Sequence, residues 1–85
     1  MQAGVEAIGG SGGAHYVVRW IPFPAAFDVP PVITCTVSDR DSYADSFNVT
    51  TVHVQNIGFD AIIRRVDSQA AWGAFLELHW LAIQP

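Results

Sequence analysis

Hydrophobic and polar positions along the chain change with a period of two, not 3.6. Residues 3–8, 15–21, 32–38, 47–55, 58–65 and 74–83 are runs rich in Val, Ile, Thr and aromatic residues. Gly, Pro, Asn, Asp and Ser cluster between them, as turn-forming residues do between strands. No segment shows helical periodicity. The pattern predicts six short strands in an all-β, six-stranded antiparallel β-sandwich, with residues 1–85 as one domain.

The breaks between strands carry their own information. Residues 9–14 are Gly-Gly-Ser-Gly-Gly-Ala, a turn without a charged side chain. Residues 22–31 hold Pro22, Pro24, Pro30 and Pro31, which exclude a helix and disfavour a central strand. This stretch is expected to be an extended crossover, anchored to the core by Phe23 and Phe27. Residues 39–46 and 67–73 are polar loops, and Asn56-Ile57-Gly58 is expected to be a tight hairpin turn.

The last run departs from simple alternation. One face carries Ala74, Leu76, Leu78, Trp80 and Ala82, and the other Phe75, Glu77, His79, Leu81 and Ile83. A strand apolar on both faces is usually covered on both. In a sandwich of this size the second cover is expected to be another subunit. Composition agrees: 51% of the 85 residues are hydrophobic and only 14% are charged, against a usual charged share of roughly 25%. Obligate interfaces, which resemble a core cut in half, absorb such an excess.

Charge removes two classes of partner. The net charge is −4, the only basic residues are Arg19, Arg40, Arg64 and Arg65, and lysine is absent. No basic stripe can track phosphates, so nucleic acid is not expected. No apolar run reaches the roughly 20 residues of a membrane-spanning helix, so no membrane insertion is expected. Residues 1–14 lack a charged segment followed by an apolar one. No signal peptide is therefore expected; cytoplasmic synthesis with action outside the cell or on a particle is the expected setting.

The chemistry of catalysis is sparse. Cys35 lies in a strand-like run and reads as a buried small hydrophobe. No nucleophile elbow or phosphate loop occurs. Asp39, Asp41 and Asp45 lack the Gly and terminal Glu of a calcium loop. His15, His53 and His79 lie on separate strands at no ligand spacing. No enzyme activity, metal or cofactor is expected. His53 and His79 are expected to be polar members of a subunit interface, titrating together.

Several pieces, in order, resemble the H-type lectin domain, the family of snail agglutinins and discoidin C-terminal domains. They are Gln2-Ala3-Gly4, Phe23 and Phe27, Pro30-Pro31-Val32, the run 47–54, Gly58-Phe59, and the closing Trp80-Leu81-Ala82-Ile83. The resemblance covers roughly residues 15–85, and more weakly the start. It implies a six-stranded antiparallel sandwich assembled as a homotrimer, sometimes stacked as a hexamer. It also implies that glycans of galactose or N-acetylgalactosamine (GalNAc) type bind in clefts between subunits, with roles in cell adhesion.

Carried over residue by residue, the family's sugar contacts are altered. Its Asp before the second strand has no counterpart in residues 9–14. Its Arg falls near Ser46 or Phe47, and its Trp-His pair near Val66 and Asp67. The loop aromatic has a counterpart in Trp72. Asp45 and Ser46 occupy the place of a contact from the neighbouring subunit. A sugar site needs an aromatic face and a few fixed donors and acceptors. The candidates are Trp72 as platform, Asp67 as acceptor, Arg65 as donor, and Asp45 and Ser46 across the junction. The alternative reading is a trimeric structural or adhesion module, for example of a phage tail or surface particle, that keeps the scaffold and binds no sugar.

Overall fold

A computed structural model of the chain describes residues 1–8, 15–38, 47–66 and 76–85. Six strands form: β1 (Gln2–Ala7), β2 (Tyr16–Pro22), β3 (Val32–Ser38), β4 (Phe47–Val52), β5 (Gly58–Arg65) and β6 (Glu77–Ile83). They make two three-stranded antiparallel sheets. Sheet A has the order β1-β6-β3 and sheet B the order β2-β5-β4. The fold is the all-β sandwich that the period-two pattern predicts.

The central strands are the most apolar ones. In β5 the inward residues are Phe59, Ala61, Ile63 and Arg65; in β6 they are Leu78, Trp80 and Ala82, and all are buried. A strand paired on both edges leaves only its two faces to solvent, so these positions set the core. Edge strands contribute less. Ile33, Cys35 and Val37 of β3, and Phe47 and Val49 of β4, are partly buried against the same cluster.

The crossover 23–31 carries the chain from β2 in sheet B to β3 in sheet A. Phe23 and Phe27 are both buried and anchor it, as the sequence predicts. Their rings meet edge to face with centroids 5.0 Å apart, and Phe23 also lies 5.7 Å from both Phe59 and Trp80. Phe59 and Trp80 come from opposite sheets and meet at 5.9 Å. Offset and edge-to-face arrangements of this kind add about 0.5–1.5 kcal/mol per pair beyond burial.

The Gln55 N–H donates to the Gly58 carbonyl at 2.8 Å and closes the expected turn around Asn56 and Ile57, but the strand before it ends earlier than the pattern predicts. β4 ends at Val52, and residues 53–57 make a five-residue connection. His53 adopts a left-handed backbone with φ 50°, which stops the ladder. Polar groups of this connection then hold the crossover. Ile57 and Asn56 carbonyls accept from the N–H groups of Phe23 (2.8 Å) and Phe27 (2.9 Å), and the Asn56 side chain donates to the Asp28 carbonyl at 3.1 Å.

Candidate functional site

Strand register places the three remaining connections at one end of the sandwich. In sheet A, Glu77 opens β6 opposite Ala7 and Ser38, the last residues of β1 and β3. In sheet B, Tyr16 and Phe47 open β2 and β4 opposite Arg64 and Arg65 at the close of β5. The chain therefore leaves and re-enters at this end three times, crossing between sheets each time. Asp45 and Ser46 belong to one of these connections, and Asp67 and Trp72 to another. All four lie outside the described residues, but the strand ends that flank them are neighbours.

Arg65 is the one described member of the predicted set, and it is buried, with 8% of its surface exposed. Alternation explains this, since Arg65 shares its face with Phe59, Ala61 and Ile63. Its guanidinium carbon sits 5.1 Å from the centroid of the Phe47 ring, within the range of a cation–π contact. Its backbone N–H donates to the His15 carbonyl at 2.9 Å. The fully solvent-facing cation at this end of β5 is Arg64.

The outer face of sheet B carries a constellation that the sequence reading did not single out. Tyr16, Val18 and Trp20 project from edge strand β2 with 58%, 50% and 43% exposure. Directly opposite them on β5 stand Arg64, Ile62 and Asp60. Trp20 leans over Gly58. A Cβ at that glycine would come within 2.7 Å of the indole Cζ2. The Asp60 carboxylate Oδ2 lies 3.1 Å from His53 Nδ1. An exposed indole beside a held carboxylate is the combination that sugar hydroxyls and ring faces use. The signal was present in residues 16–21, where Tyr, Val and Trp share one parity. The other parity holds Val17, Arg19 and Ile21, and the arginine there argues for the wrong face, since Arg19 pairs with buried Ala61 on the inner side.

The outer face of sheet A is the second face of the last strand. Leu81 and Ile83 of β6 are flanked by Ala3 and Val5 of β1 and by Val32 and Thr34 of β3. Val5, Val32 and Ile83 are exposed on this face. His79 lies here too, 3.4 Å from the carboxylate of Glu77. His53 belongs to sheet B and His79 to sheet A. The expectation that both histidines share one interface is therefore corrected: the sheet partition puts them on opposite sides of the sandwich.

Other chemistry is limited. Cys35 faces inward opposite Trp80, and burial pushes its thiol up to about 11. It is a packing residue and not a ready nucleophile. Among the described residues no three His, Cys, Asp or Glu side chains come together to hold a metal.

Comparisons with protein-family models, with curated proteins and with solved structures return no match.

Proposed function

We propose that this domain is a carbohydrate-binding module of H-type lectin kind. It works as a homotrimer that takes galactose- or GalNAc-type sugars at subunit junctions. The observation that carries this reading is the register of the two sheets. It gathers the strand ends flanking Asp45, Ser46, Asp67 and Trp72, together with Arg65, at one end of the sandwich. A second observation supports assembly. The Leu81 and Ile83 side of β6, with Val5 and Val32 beside it, is an apolar face on which Val5, Val32 and Ile83 stay exposed.

Energetics explain why such a module would be multivalent. A single shallow sugar site typically binds at about millimolar, roughly −4 kcal/mol. Repeating it at fixed spacing raises avidity without new contacts, and a cyclic trimer supplies the spacing.

The test is a glycan array of wild type and Trp72→Ala, with sedimentation to weigh the assembly. Binding of galactose-type glycans that disappears in Trp72→Ala, at the mass of three chains, is the expected result. A blank array for a folded wild type sinks the sugar reading. Glycan binding that survives Trp72→Ala refutes the site but keeps the function.

The burial of Arg65 favours a second reading, since it withdraws one proposed sugar donor from solvent. In that reading the domain is a trimeric structural or adhesion module without a ligand, and a blank array with an intact trimer is its signature.

A further inference from the structure

The outer face of sheet B has an internal symmetry. Along β5, Asp60 and Arg64 stand at equal distances on either side of Ile62, about 13 Å apart at ordinary strand rise. Along β2, Trp20 and Tyr16 flank Val18 in the same way, and the register aligns the two triplets as Trp20–Asp60, Val18–Ile62 and Tyr16–Arg64. On the β2 and β5 side the face is therefore an apolar row bounded by an acid at one end and a base at the other, with Asn48, Thr50 and Val52 of β4 continuing it beyond β5.

A patch of this kind is complementary to itself. We propose that the outer face of sheet B is an isologous interface, and that its occupant is the same face of a second copy of this chain. The two-fold axis lies in the interface, perpendicular to the strands, through Val18 and Ile62. Rotation about it reverses the strand direction, so Asp60 of each copy meets Arg64 of the other. Val18 meets Val18, Ile62 meets Ile62, and Trp20 meets Tyr16 in both halves.

Charge decides this orientation. A two-fold axis along β5 would set Asp60 against Asp60 and Arg64 against Arg64, which costs energy in a partly desolvated contact, and one along the β2–β5 seam would leave both charges facing aromatic rings without a partner. Sheets packed face to face cross at about 30°. Pivoting at Ile62, that rotation displaces the charges by about 3 Å, which the long arginine side chain spans. The apolar row is also what a lone soluble domain leaves uncovered least often. A weak contact between copies shows as association that depends on concentration.

The contact is distinct from the proposed trimer, which uses the outer face of sheet A. Sedimentation velocity across a dilution series tests it on wild type, Asp60→Arg, Arg64→Asp and an equimolar mixture of the two variants. Self-encounter of either variant sets like charges opposite each other at both ends, whereas the mixture restores two opposite pairs. Wild type and the mixture are expected to at least double in mass toward the top of the series, while each variant alone keeps its base mass. The base mass, one chain or three, is read from the variants, so failure of the trimer reading is seen separately. Circular-dichroism melting checks that each variant is folded. Trp20→Gln breaks the apolar row without changing charge and is expected to keep the base mass as well.

Three outcomes overturn the proposal. They are a wild type that keeps its base mass at every concentration, an Arg64→Asp variant that associates like wild type, and folded variants whose mixture does not associate. A wild type fixed at its base mass whose glycan binding is lost in Trp20→Gln would instead hand the face to a sugar.

Discussion

The side chain of Gln2 grips the backbone of Ala25 from both sides. Its Nε2 donates to the Ala25 carbonyl at 2.8 Å, and its Oε1 accepts from the Ala25 N–H at 3.1 Å. An amide side chain thus stands in for one rung of a ladder and ties edge strand β1 to the crossover. The crossover in turn seats Phe23 and Phe27 in the core. Gln2→Ala removes both bonds, and the expected loss is about 1 kcal/mol, roughly 4–8 °C in melting temperature for a domain this size. Gln2→Glu should be no better, because it loses the donor and turns a carboxylate toward a carbonyl. Thermal melting of both variants checks this, and an unchanged Gln2→Glu would show that the pairing contributes nothing.

Two glycines make room for two indoles, with different consequences for substitution. A Cβ at Gly4 would come within 2.7 Å of the Trp80 ring, which is wedged among Phe23 and Phe59. A Cβ at Gly58 would come within 2.5 Å of the Ile21 carbonyl oxygen as well as 2.7 Å from Trp20. Both alanine variants should lose about 1–3 kcal/mol, the usual range of overpacking. A smaller ring should rescue only one of them. Trp80→Phe is expected to recover part of Gly4→Ala. Trp20→Ala is expected to leave Gly58→Ala unrescued, because the obstacle there is backbone. Urea midpoints of the single and double variants give the coupling directly.

Burial raises the Cys35 thiol from 9.0 to about 11. At pH 8 the folded protein then holds about a hundredfold less thiolate than a free cysteine of ordinary pKa. Alkylation by iodoacetamide is expected to be slower by about that factor in buffer, and to recover in denaturant. The linkage has a definite sign. The folded value lies above the unfolded one and the neutral form is favoured on folding. The contribution is thus full below pH 9 and lost as pH rises through 11. A Cys35→Ala variant should lack this alkaline loss while showing the same acid limb.

His53 holds a left-handed backbone with φ 50°. Its bond to Asp60 is made by a side chain that is 76% exposed, so that pair contributes at most about 1 kcal/mol. The strain of a non-glycine residue in this region is of similar size. His53→Gly, which removes both, is expected to be near neutral, whereas His53→Val should lose about 1–3 kcal/mol because a β-branched residue tolerates this region worst. Chemical denaturation with an unchanged slope checks both. A neutral valine variant would mean that the turn relaxes.

These residues also mark where the sequence was legible. Strands β5 and β6 announce themselves because a central strand must be apolar on its inner face along its whole length. The crossover was legible because four prolines leave few alternatives and two phenylalanines had nowhere else to go. The end of β4 was not. Val-His-Val-Gln continues a perfect alternation, and only the backbone angle at His53 breaks it. The burial of Arg65, expected as a ligand donor, was not legible because a charged residue looks exposed until parity with Ile63 is taken seriously. The face made by Tyr16, Val18 and Trp20 was hidden because the only charge on β2, Arg19, lies on the inner side, and only pairing to Asp60 and Arg64 reveals which face meets solvent. Asp45, Ser46, Asp67 and Trp72 lie outside the described residues, so the sugar contacts rest on chain connectivity.

Phe23, Phe27, Phe59 and Trp80 join the crossover to both sheets. Ile8, Ile63, Leu76 and Leu78 carry the same core to the end from which the three inter-sheet connections leave. Exchanging residues 39–46 and following thermal melting measures how far that core stands without them. A variant that keeps its melting temperature would make the domain a carrier for randomised loops.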